Sequence, residues 1–121
     1  MPRPPEGRTL PDHHVKGTVS APSPAGALVT PVSVGGIRLN CVPARKGEKG
    51  PLYVLGHDSG APGLLARMYE WMAILGDFNV KLGQPLYLGS AGGWTKAKPK
   101  TGARQVGIGL EDGILLHPGA W

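Results

Sequence analysis

From about residue 27 onward, apolar residues recur in short runs separated by glycine and proline, the pattern of strands and turns. Leu28, Val29, Val32, Val34, Ile37, Leu39 and Val42 form a strand-like series broken at Gly35-Gly36. Arg45–Gly50 is a charged, glycine-bounded loop. Leu52-Tyr53-Val54-Leu55, between Pro51 and Gly56, reads as a buried strand, and Val80–Leu88 as another with Pro85 at an edge or bulge. Gly92-Gly93 turns into Trp94-Thr95. Gln105–Leu110 and Ile114–His117 flank Glu111-Asp112-Gly113, the strongest hairpin signal in the chain.

One segment carries a different period. Leu64, Leu65, Met68, Tyr69, Trp71, Met72 and Leu75 recur at spacings of three and four, which predicts a short α-helix over about 64–75. Ser59 is its candidate cap and Gly76 its stop. A helix of three turns needs packing to persist, so it is expected to cover one open end of a small barrel or sandwich.

Residues 1–26 hold six of the 13 prolines and no sustained apolar run. Proline fixes φ and removes a donor, so this stretch predicts an extended N-terminal arm ahead of a domain spanning 27–121. Within the arm, His14–Ser20 alternates weakly and could add one strand to the sheet of a neighbouring chain.

Composition narrows the class. A chain of 121 residues suits one domain with one modest core. The net charge of +5 and isoelectric point near 9.7 suit an anionic partner. Aromatics do not interleave with the basic residues, however, so direct nucleic-acid binding is not expected. The basic face is either solvated or meets an acidic protein neighbour. The single cysteine, Cys41, excludes an intrachain disulfide framework and reads as a small buried core residue. No stretch approaches a membrane span, and the N-terminus lacks the apolar segment of a secretory leader, so the expected site of synthesis is the cytosol.

Candidate chemistry is sparse. Gly56-His57-Asp58-Ser59-Gly60 holds three triad residue types, but its serine lies one place late for a nucleophile elbow, and adjacent side chains do not form a relay. Gly107-Ile108-Gly109-Leu110-Glu111-Asp112-Gly113 departs from a dinucleotide fingerprint: its third glycine is late, and an apolar run stands where a helix should open. Glycines in a strand beside a close neighbour are the better reading. His13-His14 lacks further metal ligands at zinc spacing. These patterns predict no enzyme, no cofactor and no metal.

The specific signal lies in the last forty-odd residues. Asp77–Gly89 introduces a strand through Gly83-Gln84-Pro85-Leu86-Tyr87-Leu88. A Gly-Gly turn, Trp94-Thr95 and a Lys/Pro-rich connection follow, then Gln105–Leu110 and Asp112–Gly119. This order resembles the small structural proteins of tailed bacteriophages, particularly head decoration (capsid cement) proteins. The resemblance implies a mainly β fold, a small β-barrel or β-tulip-like domain. It also implies a trimer on the outer capsid surface of the virion, whose N-terminal arm augments a sheet of the major capsid protein. Partner-binding residues are then expected in the arm, at Val15, Lys16, Thr18 and Val19, and on the loop-rich basic face, at Arg45, Lys46, Trp94, Lys96 and Lys98. The competing readings are a tail, spike or fibre-attachment protein, and a small nucleic-acid-binding domain using Lys96, Lys98, Lys100 and Arg104.

Overall fold

The computed structural model describes residues 8, 9, 13–36, 38–58 and 62–121, with side chains from residue 13 onward. Much of the expected arm (1–7 and 10–12) lies outside the described residues, as do Ile37 and residues 59–61. In chain order the strands are β1 (Arg8–Thr9), β2 (Val15–Val19), β3 (Leu28–Gly35), β4 (Arg38–Pro43), β5 (Tyr53–Leu55), β6 (Leu65–Tyr69), β7 (Met72–Leu75), β8 (Pro85–Leu88), β9 (Trp94–Thr95), β10 (Gln105–Gly109) and β11 (Gly113–Leu116). No helix occurs among the described residues.

Two layers form. Strands β2-β4-β3-β5-β6 close into a five-stranded barrel, and β1-β7-β11-β10-β8-β9 make a six-stranded sheet. Every pairing is antiparallel except β2 with β4. The expected mainly β, barrel-type domain is therefore what the chain builds.

Alternation along the strands divides the apolar residues between two cores. Val19, Ala27, Val29, Cys41, Leu55, Ala66 and Met68 fill the barrel. Leu28, Ala44, Leu52 and Val54 turn outward from it and meet Met72, Leu86, Leu88, Val106, Ile114 and Leu116. The first residues of β3 (Leu28–Thr30) and β5 are thus buried on both faces, which is why Leu28-Val29 and Val54-Leu55 read as unbroken apolar pairs, while Val32–Gly35 of β3 are exposed. Each fully buried side chain of this size contributes about 1.5–3 kcal/mol. Barrel closure also depends on Gly17. A Cβ there would lie 2.6 Å from the Leu39 carbonyl oxygen and 3.0 Å from the Met68 sulfur.

The helix expected over 64–75 is not formed; its residues make β6 and β7. Ala66 and Met68 point into the barrel, while Met72 and Ile74 point into the interlayer core, a period of two. The intervening residues Leu65, Tyr69 and Leu75 are apolar as well, so the two interleaved sets mimic helical spacing. Pairing of β6 with β2 and β5, and of β7 with β11 and β1, supplies a complete ladder that an isolated short helix could not match.

The arm also changes. Val15–Val19 was expected to add to another chain's sheet, yet it is a stave of its own barrel, paired with β4 on one edge and β6 on the other. Its ladder positions are satisfied in cis. Farther along, the strand expected over Val80–Leu88 shortens to Pro85–Leu88, with proline at its first residue, where a missing donor costs least. The hairpin around Glu111-Asp112-Gly113 forms as β10–β11, closed by the Leu110 amide donating to the Gly113 carbonyl at 2.8 Å.

Candidate functional site

Two loops far apart in sequence meet at one edge of the molecule. The first joins β4 to β5. Buried Ala44 anchors it, its amide donating to Leu28 at 2.9 Å and its carbonyl accepting from Gly92 at 2.8 Å. A turn follows, in which the Glu48 amide donates to the Arg45 carbonyl at 2.9 Å and Gly47 takes a φ of 83°. The second loop joins β9 to β10. Its Gly102, at φ 63°, approaches so closely that a Cβ would lie 3.5 Å from the Cα of Gly47.

Arg104 locks the two together. Its guanidinium donates to the carbonyls of Glu48 at 2.9 Å and Gly50 at 2.6 Å. Both bonds are charge-assisted and partly buried, the stronger class of hydrogen bond. The one carboxylate of the first loop, Glu48, turns back to accept from the Gly50 amide at 3.2 Å. Arg45, Lys46, Lys49 and Lys100 are left exposed on the two joined loops, with Lys98 two residues before Lys100. The result is a cationic patch held on fixed backbone, chemically suited to carboxylate-bearing or phosphate-bearing surfaces.

The sequence-predicted residues divide sharply. Arg45, Lys46 and Lys98 belong to the loops of this patch. Lys96 is drawn away, its Nζ donating to the Asn79 carbonyl at 2.7 Å. Trp94 packs against the interlayer core and meets Phe78 edge-on, with ring centroids 6.0 Å apart, so its first role is packing. Val19 is fully buried inside the barrel and has no surface to offer a partner. Val15, Lys16 and Thr18 lie on β2, where Lys16 is exposed and the Thr18 hydroxyl donates to Asn40 Oδ1 at 3.0 Å. Sequence reasoning missed the part played by Lys49 and the clamp made by Arg104. The only signal was the shared basic, glycine-bounded character of the two loops.

The motifs weighed for chemistry have structural positions. Asp58 Oδ1 accepts from the Ala25 amide at 2.6 Å, tying the turn after β5 to the start of the barrel crossing. Ser59 and Gly60 lie outside the described residues. Gly107 and Gly109 sit in β10, where a Cβ would run into the Leu115 and Lys81 carbonyls respectively. His14 is exposed and rests against Tyr69, with ring centroids 5.7 Å apart. Among the described residues, no three His, Cys, Asp or Glu side chains gather closely enough to hold a metal ion. No helix there is long and apolar enough to cross a membrane. A hollow of about 330 Å³ gathers Tyr53, Glu70, Arg104 and His117, but the Arg104 guanidinium is committed to the two carbonyls of the clamp.

Comparison with protein-family models, with curated proteins and with solved structures gives no match to this chain. The class is set by the architecture alone: a small, mainly β, barrel-type domain that carries an exposed cationic patch on two joined loops.

Proposed function

We propose that this chain is a structural virion protein, a head decoration protein of a tailed bacteriophage. In this reading it binds the outer capsid surface and clamps neighbouring major capsid protein subunits through the Arg45–Gly50 and Lys98–Arg104 loops. The observation that carries the reading is where the resembling segment lies. Residues 77–119 make up most of the six-stranded sheet and one of the two loops of the cationic patch. The segment that resembles decoration proteins is thus a contiguous unit that supplies Lys98, Lys100 and the Arg104 clamp to the patch, while Arg45, Lys46 and Lys49 come from the other loop.

The physics of a shell favours such a patch. An exposed ion pair contributes only about 0.2–1 kcal/mol, so one patch on one subunit binds weakly. Repetition over a symmetric shell, with each copy touching more than one subunit, raises effective concentration and turns weak contacts into stable coverage. A trimer at local three-fold positions fits that arithmetic and is the proposed assembly state. The role is mechanical, without turnover or cofactor. Augmentation of a capsid sheet by Val15–Val19 is not part of the proposal, because both edges of that strand are already paired.

The test is co-sedimentation of the purified chain with emptied, expanded heads and, separately, with tails. Saturable binding to heads that weakens with added salt is expected, with none to tails. Binding to tails alone transfers the reading to a tail or fibre-attachment protein. Failure to bind any capsid overturns it.

A further inference from the structure

A second cationic feature lies on the barrel wall facing away from the six-stranded sheet. In the five-stranded ring, β3 and β5 face the interlayer core, which puts β2 on the far side, flanked by β4 and β6. Gly17, Val19, Cys41, Ala66 and Met68 point inward, so the alternate residues of these three strands point out. Lys16 stands in register with Arg67. Arg38 precedes Leu39, the parallel partner of Gly17, and so lies beside Lys16. Arg38, Lys16 and Arg67 form a row across three neighbouring strands about 4.8 Å apart, and all three are exposed.

Among the described residues the flanking rows hold no carboxylate; Glu70, which follows Tyr69, lines a separate hollow with His14 and Val15. On one side stand Asn40, Thr18 and Leu65, in register, with the Asn40 amide donating onward to Ser33 Oγ at 3.0 Å. On the other side His14 rests against Tyr69. Like charges directly opposite one another destabilise a strand pair, so the row lowers the stability of the isolated fold. Exposed apolar groups adjoin it. Leu65 is 48% exposed and Val15 37%, and with His14, Lys16 and Arg38 they line a hollow of about 450 Å³.

We infer that this wall is a second docking surface, and that its occupant is a carboxylate-rich segment of another protein carrying an apolar residue beside its acids. Charge complementarity selects the acids: three cations in register offset their mutual repulsion only against negative charge. The hollow beside Lys16 and Arg38, with Val15 and Leu65 in its lining, selects the apolar neighbour. Guanidinium groups next to exposed apolar side chains are the usual composition of a protein interface. A nucleic acid fits less well. The row spans about 10 Å, two inter-strand spacings, and lacks a free aromatic platform for bases, because Tyr69 is buried and covered by His14. The inference does not depend on the capsid reading, and loss of one leaves the other standing.

The experiment is an NMR titration of the full ¹⁵N-labelled chain with a peptide of six glutamates and one central leucine, repeated with a short DNA duplex. Peptide-induced shifts are expected on residues 14–18, 38–40 and 65–69. Replacing the row by Lys16→Gln, Arg38→Gln and Arg67→Gln is expected to weaken peptide binding about tenfold, the sum of three exposed pairs. An Arg45→Gln, Lys46→Gln, Lys49→Gln variant is expected to keep most of it. Shifts confined to the 45–50 and 98–104 loops, or unchanged affinity in the row variant, overturn the inference. So does tighter binding of DNA than of peptide at the row.

Discussion

Arg104 donates a 2.6 Å hydrogen bond to the carbonyl of Gly50, a residue 54 positions earlier in the chain. With its second bond, to Glu48, it fixes the two loops that present Arg45, Lys46, Lys49 and Lys100. Removing it leaves two carbonyls without their donor. Arg104→Gln is expected to lower unfolding free energy by about 2 kcal/mol, the loss of charged hydrogen bonds in a partly buried site. Arg104→Lys should recover only part of this: both bonds come from the terminal Nη1, and the shorter lysine side chain does not carry its ammonium to that position. Urea denaturation of the three proteins checks both statements.

The turn between β8 and β9 docks onto the barrel. The Leu28 amide donates to the Gly92 carbonyl at 2.8 Å, and a Cβ on Gly92 would lie 2.7 Å from the Leu28 carbonyl oxygen. Gly36 has a similar left-handed φ, 67° against 78°, but nothing within 4 Å. Alanine at either position costs about 1 kcal/mol for its backbone conformation. Gly92→Ala is expected to cost about 1–3 kcal/mol more, because backbone must move aside. Equal denaturation midpoints for Gly92→Ala and Gly36→Ala would show that the docking contact is unimportant.

Cys41 lies inside the barrel, 3.6 Å from the Met68 sulfur, and burial pushes its thiol from 9.0 up to about 11. The native state therefore keeps its proton where the unfolded state has lost it, above about pH 9. Native stability must fall as pH rises from 9 to 11 and show no contribution from this group below 9. Comparison with Cys41→Ala isolates the effect: the wild type should lose stability more steeply across that window. Native Cys41 should also resist a thiol reagent at pH 8 and react promptly once denaturant opens the barrel. Prompt reaction without denaturant would contradict its burial.

Trp94 and Arg45 separate packing from docking. Trp94→Ala removes a ring from the rim of the interlayer core and from Phe78. It should cost about 3 kcal/mol of stability, the low end for loss of a packed tryptophan. Arg45→Gln with Lys46→Gln should change stability by less than about 0.5 kcal/mol while reducing head binding. The opposite split would move the docking surface to Trp94.

Much of the fold was legible because strands carry their evidence locally. Leu52–Leu55, Gln105–Leu110 and Ile114–His117 are short apolar runs bounded by turn residues, and each lies where a strand forms. Residues 64–75 were misread because Leu65, Tyr69 and Leu75, at positions alternate to the inward set, are apolar too, although Arg67 shares their face. Met68 and Met72 serve different cores, yet they sit one helical turn apart. Val15–Val19 looked like an arm because Gly17 and its neighbours are weakly apolar, and its barrel partners lie more than twenty residues away. The patch was half legible. Its charges are visible in sequence, but their meeting depends on Arg104 crossing to Glu48 and Gly50, which no local pattern announces.

The central claim is that the Arg45–Gly50 and Lys98–Arg104 loops grip the outside of a capsid. A cryo-electron microscopy reconstruction of heads saturated with the purified chain tests this most directly. The expected result is density for the chain on the outer surface, with Arg45, Lys46 and Lys98 turned toward acidic residues of the major capsid protein. Bare heads, or decorated heads with these loops facing solvent, would contradict it.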